Sequence, residues 1–250
     1  MQCPKCQTEQ SEANQICTAC GLVFEKYYKY HPPESGSAAQ YSAASRIQMQ
    51  QVTAFSWQAL LFPPPSARSA GWWPAQAVLL LGMAIYGGRL IIAGVDSNAA
   101  GESFLHLINL PFHEGGHVIF GFLGQFMGSL GGTLMQLLMP AAAFYHFLFR
   151  QQNAFASSVC LWWFGENFLD IAPYIQDASK GVLPLLGGNI GKHAPYGFHD
   201  WEYLLTETGL IQHDAVIASL SHGLGSLLML LAVVWGLLLV RQGKALGGTG

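Results

Sequence analysis

Charge is what this chain has least of. Only 10% of its 250 residues are Asp, Glu, Lys or Arg, against roughly 25% in a soluble domain. That deficit excludes an ordinary water-soluble fold for most of the sequence. Apolar residues make up 51%, and they recur in runs of about 20, the length a bilayer requires. A net charge of −3 leaves no basic excess for a nucleic-acid partner, and none is expected. The chain opens without the basic and apolar regions of a signal peptide, so no cleaved leader is expected. Cysteine nearly vanishes after residue 20. The one exception, Cys160, lies in an apolar span, where a lone thiol behaves as a small hydrophobe.

The other four cysteines form two knuckles, Cys3-Pro-Lys-Cys6 and Cys17-Thr-Ala-Cys20, ten residues apart. Each knuckle lets two thiolates converge on one metal, and four thiolates make a closed tetrahedral Zn²⁺ site with a structural role. Two disulfides would need an oxidising compartment and would be strained across a two-residue spacer. The segment resembles a minimal zinc ribbon over residues 1–30, with metal supplying most of its fold. Residues 31–73 shift toward Pro, Ser, Ala and Gln and read as a linker. Within it, Ile47–Phe62 can lie on a membrane surface as an amphipathic helix. Residues 74–250 form the membrane domain.

Five spans are expected, near Trp73–Val95, Ser103–Met127, Leu130–Phe149, Ala154–Ile175 and Asp214–Val240. The fold class is thus an all-α polytopic membrane protein of about five transmembrane helices with a small N-terminal zinc ribbon. Reduced thiolates and the basic residues Lys26, Lys29, Arg46 and Arg68 place the N-terminal ribbon in the cytosol. Arg150, Arg241 and Lys244 would then lie outside, against the usual bias. Gln176–His213 is the one long loop after the spans begin. Asp200 within it can cap a short helix ending near Gly209, and the loop is a candidate lid.

The stretch that organises the rest is Pro111-Phe-His-Glu-Gly-Gly-His-Val118, an HExxH motif in apolar surroundings. On a helix His113 and His117 share a face and can bind one Zn²⁺, while Glu114 can reach a water beside it and act as base. At this chain's His and Glu frequencies chance gives about 0.01 such matches. Ionisable groups inside a span are costly and mark function by default. A third ligand is needed, and the fourth span offers Glu166 and Asp170 on one helical face. Asp170 is the favoured ligand, with Glu166 as its partner or substitute. Pro173 is expected to disturb the helix around Asp170. The glycines Gly121, Gly124, Gly128, Gly131 and Gly132 are read as close helix packing. His106, His146 and His222 each lie alone in a span, where hydrogen bonding to a neighbouring helix is the ordinary role.

HExxH in one span and Leu169-Asp170 two spans later resemble the site-2 protease group of intramembrane zinc metalloproteases. The resemblance covers residues 103–176. It implies a three-span core that hydrolyses peptide bonds of membrane-associated substrates. His113, His117 and Asp170 would hold the catalytic zinc, with Glu114 as general base. The family usually carries Asn-Pro upstream and Gly after the Asp; here Ile171 follows Asp170. The cofactors expected are one catalytic and one structural Zn²⁺. The expected partners are a membrane protein or peptide substrate and a protein bound by the ribbon. A different class of function is a membrane scaffold that keeps its zinc, cleaves nothing and recruits a partner through the ribbon. A haem protein is disfavoured, because His113 and His117 share one face and cannot flank a porphyrin.

Overall fold

A computed structural model describes residues 1–11, 14–31, 56–64, 71–186 and 188–247. The chain divides into two compact units, Met1–Ser56 and Trp57–Gly250. The amphipathic segment expected at Ile47–Phe62 falls mostly outside the described residues.

The first unit is built from two equivalent knuckles. Gln2 bridges Glu9 around the first, and Ile16 bridges Val23 around the second. The residue after each second cysteine, Gln7 (φ 61°) or Gly21 (φ 70°), turns into the left-handed region, which reverses the chain beneath the sulfurs. Helix α1 (Phe24–Tyr30) follows. It buries Phe24 against Cys3 and Cys17, a core too small to fold without a staple.

The second unit is helical among the described residues. Helix α2 (Trp57–Leu61) packs within this unit: Trp235 Nε1 donates to the Leu61 carbonyl, and the Trp57 ring meets Phe149. Five long helices follow: α3 (Trp73–Ala93), α4 (Phe104–Gly121), α5 (Gln125–Tyr145), α6 (Ala154–Gln176) and α8 (Asp214–Gly247). The short α7 (Asp200–Glu207) precedes the last of them. The second expected span ends earlier than Met127 and the third begins before Leu130, because Gly124 at φ 103° breaks the helix between Gly121 and Gln125. Helix α4 opens at Ser103, whose hydroxyl accepts from the His106 N–H, and α6 at Asn153, whose side chain accepts from the Ala156 N–H. Pro173 does not interrupt α6, which runs on to Gln176.

In space the long helices follow the order α4, α5, α6, α8, α3. Helix α6 is central and buried over most of its length, including its polar Ser157, Ser158, Glu166, Asn167 and Asp170. Met83, Leu90, Trp162, Leu169 and Met229 make one apolar core between α3, α6 and α8. The outer surface is also apolar. Val78, Leu81, Ile85 and Ile92 on α3 and Leu220, Leu227, Leu230 and Val234 on α8 are all more than half exposed. Water does not favour such faces, and lipid does. Among the described residues, three helical segments are long and apolar enough to cross a membrane: Trp73–Ala93, Gln125–Arg150 and Ile211–Ala245. Helices α4 and α6 are less apolar because their inner faces carry the polar residues described next.

Candidate metal centre

Helix α4 places His113 and His117 on one face, with ring centroids 4.8 Å apart. Each ring is fixed by its Nδ1. That of His117 lies 2.8 Å from the Gly128 carbonyl, which can only accept, so Nδ1 carries the proton. That of His113 lies 3.1 Å from Gln136 Oε1, while the Gln136 amide nitrogen donates to Asp170 Oδ2 at 2.7 Å. With the amide oriented by Asp170, its oxygen must receive the His113 proton. The neutral tautomers leave Nε2 as the acceptor, and both Nε2 atoms face the same oxygen. Asp200 Oδ2 lies 3.2 Å from His113 Nε2 and 3.3 Å from His117 Nε2.

A proton on one Nε2 can bridge to Asp200, and a divalent ion among the three atoms would satisfy all of them together. For N and O ligands about 2.0–2.1 Å from zinc, a tetrahedral edge is about 3.3–3.4 Å, close to the two distances observed. Glu114 lies beside the pair: ligand atoms of His113, Glu114 and His117 fall within 4.8 Å of one another, a group that can hold a metal ion.

The carboxylate that meets the histidines is thus Asp200 and not Asp170. Asp170 is occupied elsewhere. Its Oδ1 pairs with His106 Nδ1 at 2.8 Å, and its Oδ2 accepts from Asn109 Nδ2 (3.0 Å) and Gln136. It orients the first histidine through Gln136, as outer hydrogen-bond partners of metal ligands do. Glu166 is further removed. Its Oε2 accepts from Asn109, and its buried Oε1 has no hydrogen-bond partner among the described residues. The Asn109 amide is held in turn by Trp163 Nε1 at 2.9 Å.

Asp200 also does not cap α7, as its place in the sequence suggests. The cap is His199, whose Nδ1 accepts from the Glu202 N–H, and this frees the Asp200 carboxylate to turn inward. Tyr174 locks it there. The Asp200 N–H donates to the Tyr174 hydroxyl at 3.0 Å, and the hydroxyl donates to Asp200 Oδ2 at 3.3 Å. The His199 ring stacks on Tyr174 with centroids 4.2 Å apart. Burial holds His199 below the usual histidine range against the pull of Asp177 and Asp200. Of the other lone histidines, His106 pairs across helices as expected, His146 pairs with Gln151, and the buried His222 Nε2 has no hydrogen-bond partner among the described residues.

A cavity of about 520 Å³ opens over the site. It is lined by His106, His113, Glu114, His117, Tyr174 and Asp200, by Gly121, Gly124 and Gly128, and by the loop residues Leu183, Leu185, Leu186 and Phe198. No Lys or Arg lines it among the described residues.

In the ribbon, Cys3, Cys6, Cys17 and Cys20 bring all four sulfurs within 4.8 Å, a second group that can hold a metal ion. The Cys3–Cys20 and Cys6–Cys17 Sγ separations are 3.6 Å, and every cysteine is free. A tetrahedral edge for Zn–S bonds of 2.3 Å is about 3.8 Å. A hydrogen bond with the Thr8 hydroxyl draws the Cys6 thiol down to about 6. The Leu22 backbone draws Cys20 down as well, but burial and the three neighbouring thiols outweigh it and push Cys20 up to about 12. Four thiolates cannot share this space without a cation.

No family model, curated protein or solved structure matches this chain.

Proposed function

We propose that this protein is a zinc-dependent metallopeptidase acting on membrane-associated substrates. The helical unit sits in the bilayer in this reading, and the ribbon lies in the cytosol with its own structural zinc. The observation that carries it is the convergence of two imidazole Nε2 atoms and the Asp200 carboxylate beside Glu114, inside a helical body with an apolar exterior. His113, His117 and Asp200 would hold the catalytic ion. Zinc in such a site supplies Lewis acidity, polarising a carbonyl and acidifying water. Glu114 takes the proton of the attacking water and passes it to the leaving amine. Asp170, through Gln136, keeps the His113 ring in register.

The cavity lining favours a carbonyl substrate over a phosphoryl one, since no Lys or Arg is present to clamp a phosphate. The likeness to site-2 proteases rests on the HExxH motif alone, because the third ligand comes from the loop and not from Leu169-Asp170. Replacing the base tests the reaction. Glu114→Gln is expected to keep its metal and lose about 10²–10⁴ in rate. The measurement is metal content of the purified variant together with cleavage of single-span membrane substrates in cells. If the variant processes them as fast as wild type, the enzyme reading is wrong.

A further inference from the structure

The segment between α6 and α7 carries the inference. Residues 178–199 contain Lys180, Lys192 and His193, all exposed, and no acidic residue. The same segment exposes Val182, Leu186 and Phe198, each more than half accessible. These side chains stand on a fixed scaffold. Both Asp177 carboxylate oxygens accept backbone bonds at 2.9 Å, from the Val182 and Leu183 N–H groups. Lys192 N–H donates to the Gly181 carbonyl at 2.9 Å, and Pro184 bridges Ile190. The segment leaves the end of α6 and leads through α7 to the start of α8. In a membrane-embedded bundle it therefore lies at one bilayer face.

We propose that this loop docks on the headgroup layer of an anionic bilayer, with Val182, Leu186 and Phe198 entering the lipid and Lys180, Lys192 and His193 meeting the negative surface. An ordered loop that holds bulky apolar groups in water is unfavourable, and lipid relieves it. Positive charge without any acid among the same residues matches the field of an anionic leaflet. A protein partner would not require that pairing of features at the end of two long apolar helices. The inference rests on the membrane placement of the chain and not on hydrolysis. It has a consequence for the site: Leu186 and Phe198 also line the metal cavity, so its mouth opens at the lipid interface and not into bulk water.

The test is Leu186→Trp in the full chain, reconstituted into phosphatidylcholine vesicles with and without phosphatidylglycerol. Leu186 is 60% exposed, so the indole has room, and retained metal content verifies the fold. The emission added over wild type is expected to be quenched by lipid brominated near the headgroup and shielded from aqueous iodide. Phosphatidylglycerol should increase the quenching, and adding Lys180→Gln and Lys192→Gln should abolish that increase. Phe198→Trp should behave as Leu186→Trp does. Quenching by iodide and not by brominated lipid would place the loop in water and overturn the proposal. Protection from both quenchers would mean a protein surface covers it, a second copy or another chain, and would equally overturn it. Quenching indifferent to phosphatidylglycerol would remove the anionic recognition.

Discussion

At the scale of the residue, the site is a chain of hydrogen bonds that ends in lone pairs. Asp170 holds the Gln136 amide, the amide oxygen holds the His113 proton, and the freed Nε2 faces Asp200. Gln136→Leu removes the acceptor and leaves His113 free to rotate or change tautomer. Metal affinity at this centre is expected to fall about 10–100-fold, measured by competition with a chelator of known affinity; an unchanged affinity would mean that the ring is held by packing alone. The grouping of His113, Glu114 and His117 was legible in the sequence because HExxH is a local pattern on one helix. The carboxylate that meets both imidazoles was not. Asp170 has the composition of a ligand, an acid on an apolar helix near the motif, but the buried Asn109 and Gln136 amides and His106 claim both its oxygens. Asp200 sits in a loop 87 residues after His113, and only the tertiary fold shows where that loop lands. The one local hint was His199-Asp200 at the head of a short helix. With the histidine as cap, the acid is left without a local partner.

At the scale of the element, the α4–α5 pair decides whether the two rings fit. A Cβ on Gly132 would lie 2.7 Å from His113 Nε2 and from His117 Nε2, so the imidazoles occupy the space of the missing side chain. A Cβ on Gly116 would collide with the Gly131 carbonyl, where the two backbones touch. Gly132→Ala is expected to strip the metal while the helices stay assembled, since the neighbours at risk are side-chain tips. Gly116→Ala is expected to separate the helices themselves, because the obstacle is backbone. Metal content and thermal unfolding in detergent distinguish them: loss of metal at near wild-type stability for the first, and a clear loss of stability for the second. The reverse pattern would contradict this assignment. Three of the expected spans correspond to helices long and apolar enough to cross a membrane; α4 and α6 are helices where spans were expected, but polar residues lower their apolar character. The α4–α5 junction was misplaced because Phe122 and Leu123 keep the sequence apolar through the turn, and only the conformation of Gly124 ends the helix.

At the scale of the whole molecule, two units each carry, among the described residues, one group that can hold a metal ion: four cysteines in the first, and His113, Glu114 and His117 in the second. The ribbon was the most readable part of the sequence, since its ligands and their spacing are contiguous and its core is little more than Phe24. Its metal and its fold are one equilibrium. Cys6→Ser is expected to release one ion and unfold residues 1–30 while the helical unit keeps its own, as zinc analysis and hydrogen exchange of the two units would show. Retention of both ions would contradict the closed four-thiolate site. The claim on which the rest depends is that Asp200, and not Asp170, completes the centre in the helical unit. The most direct measurement is zinc per chain in purified full-length Asp200→Ala and Asp170→Ala at controlled free zinc. The account expects Asp200→Ala to keep only the ribbon ion, and Asp170→Ala to keep both at saturating zinc with affinity lowered about 10–100-fold at the helical site. A full site in Asp200→Ala with an empty one in Asp170→Ala would contradict it.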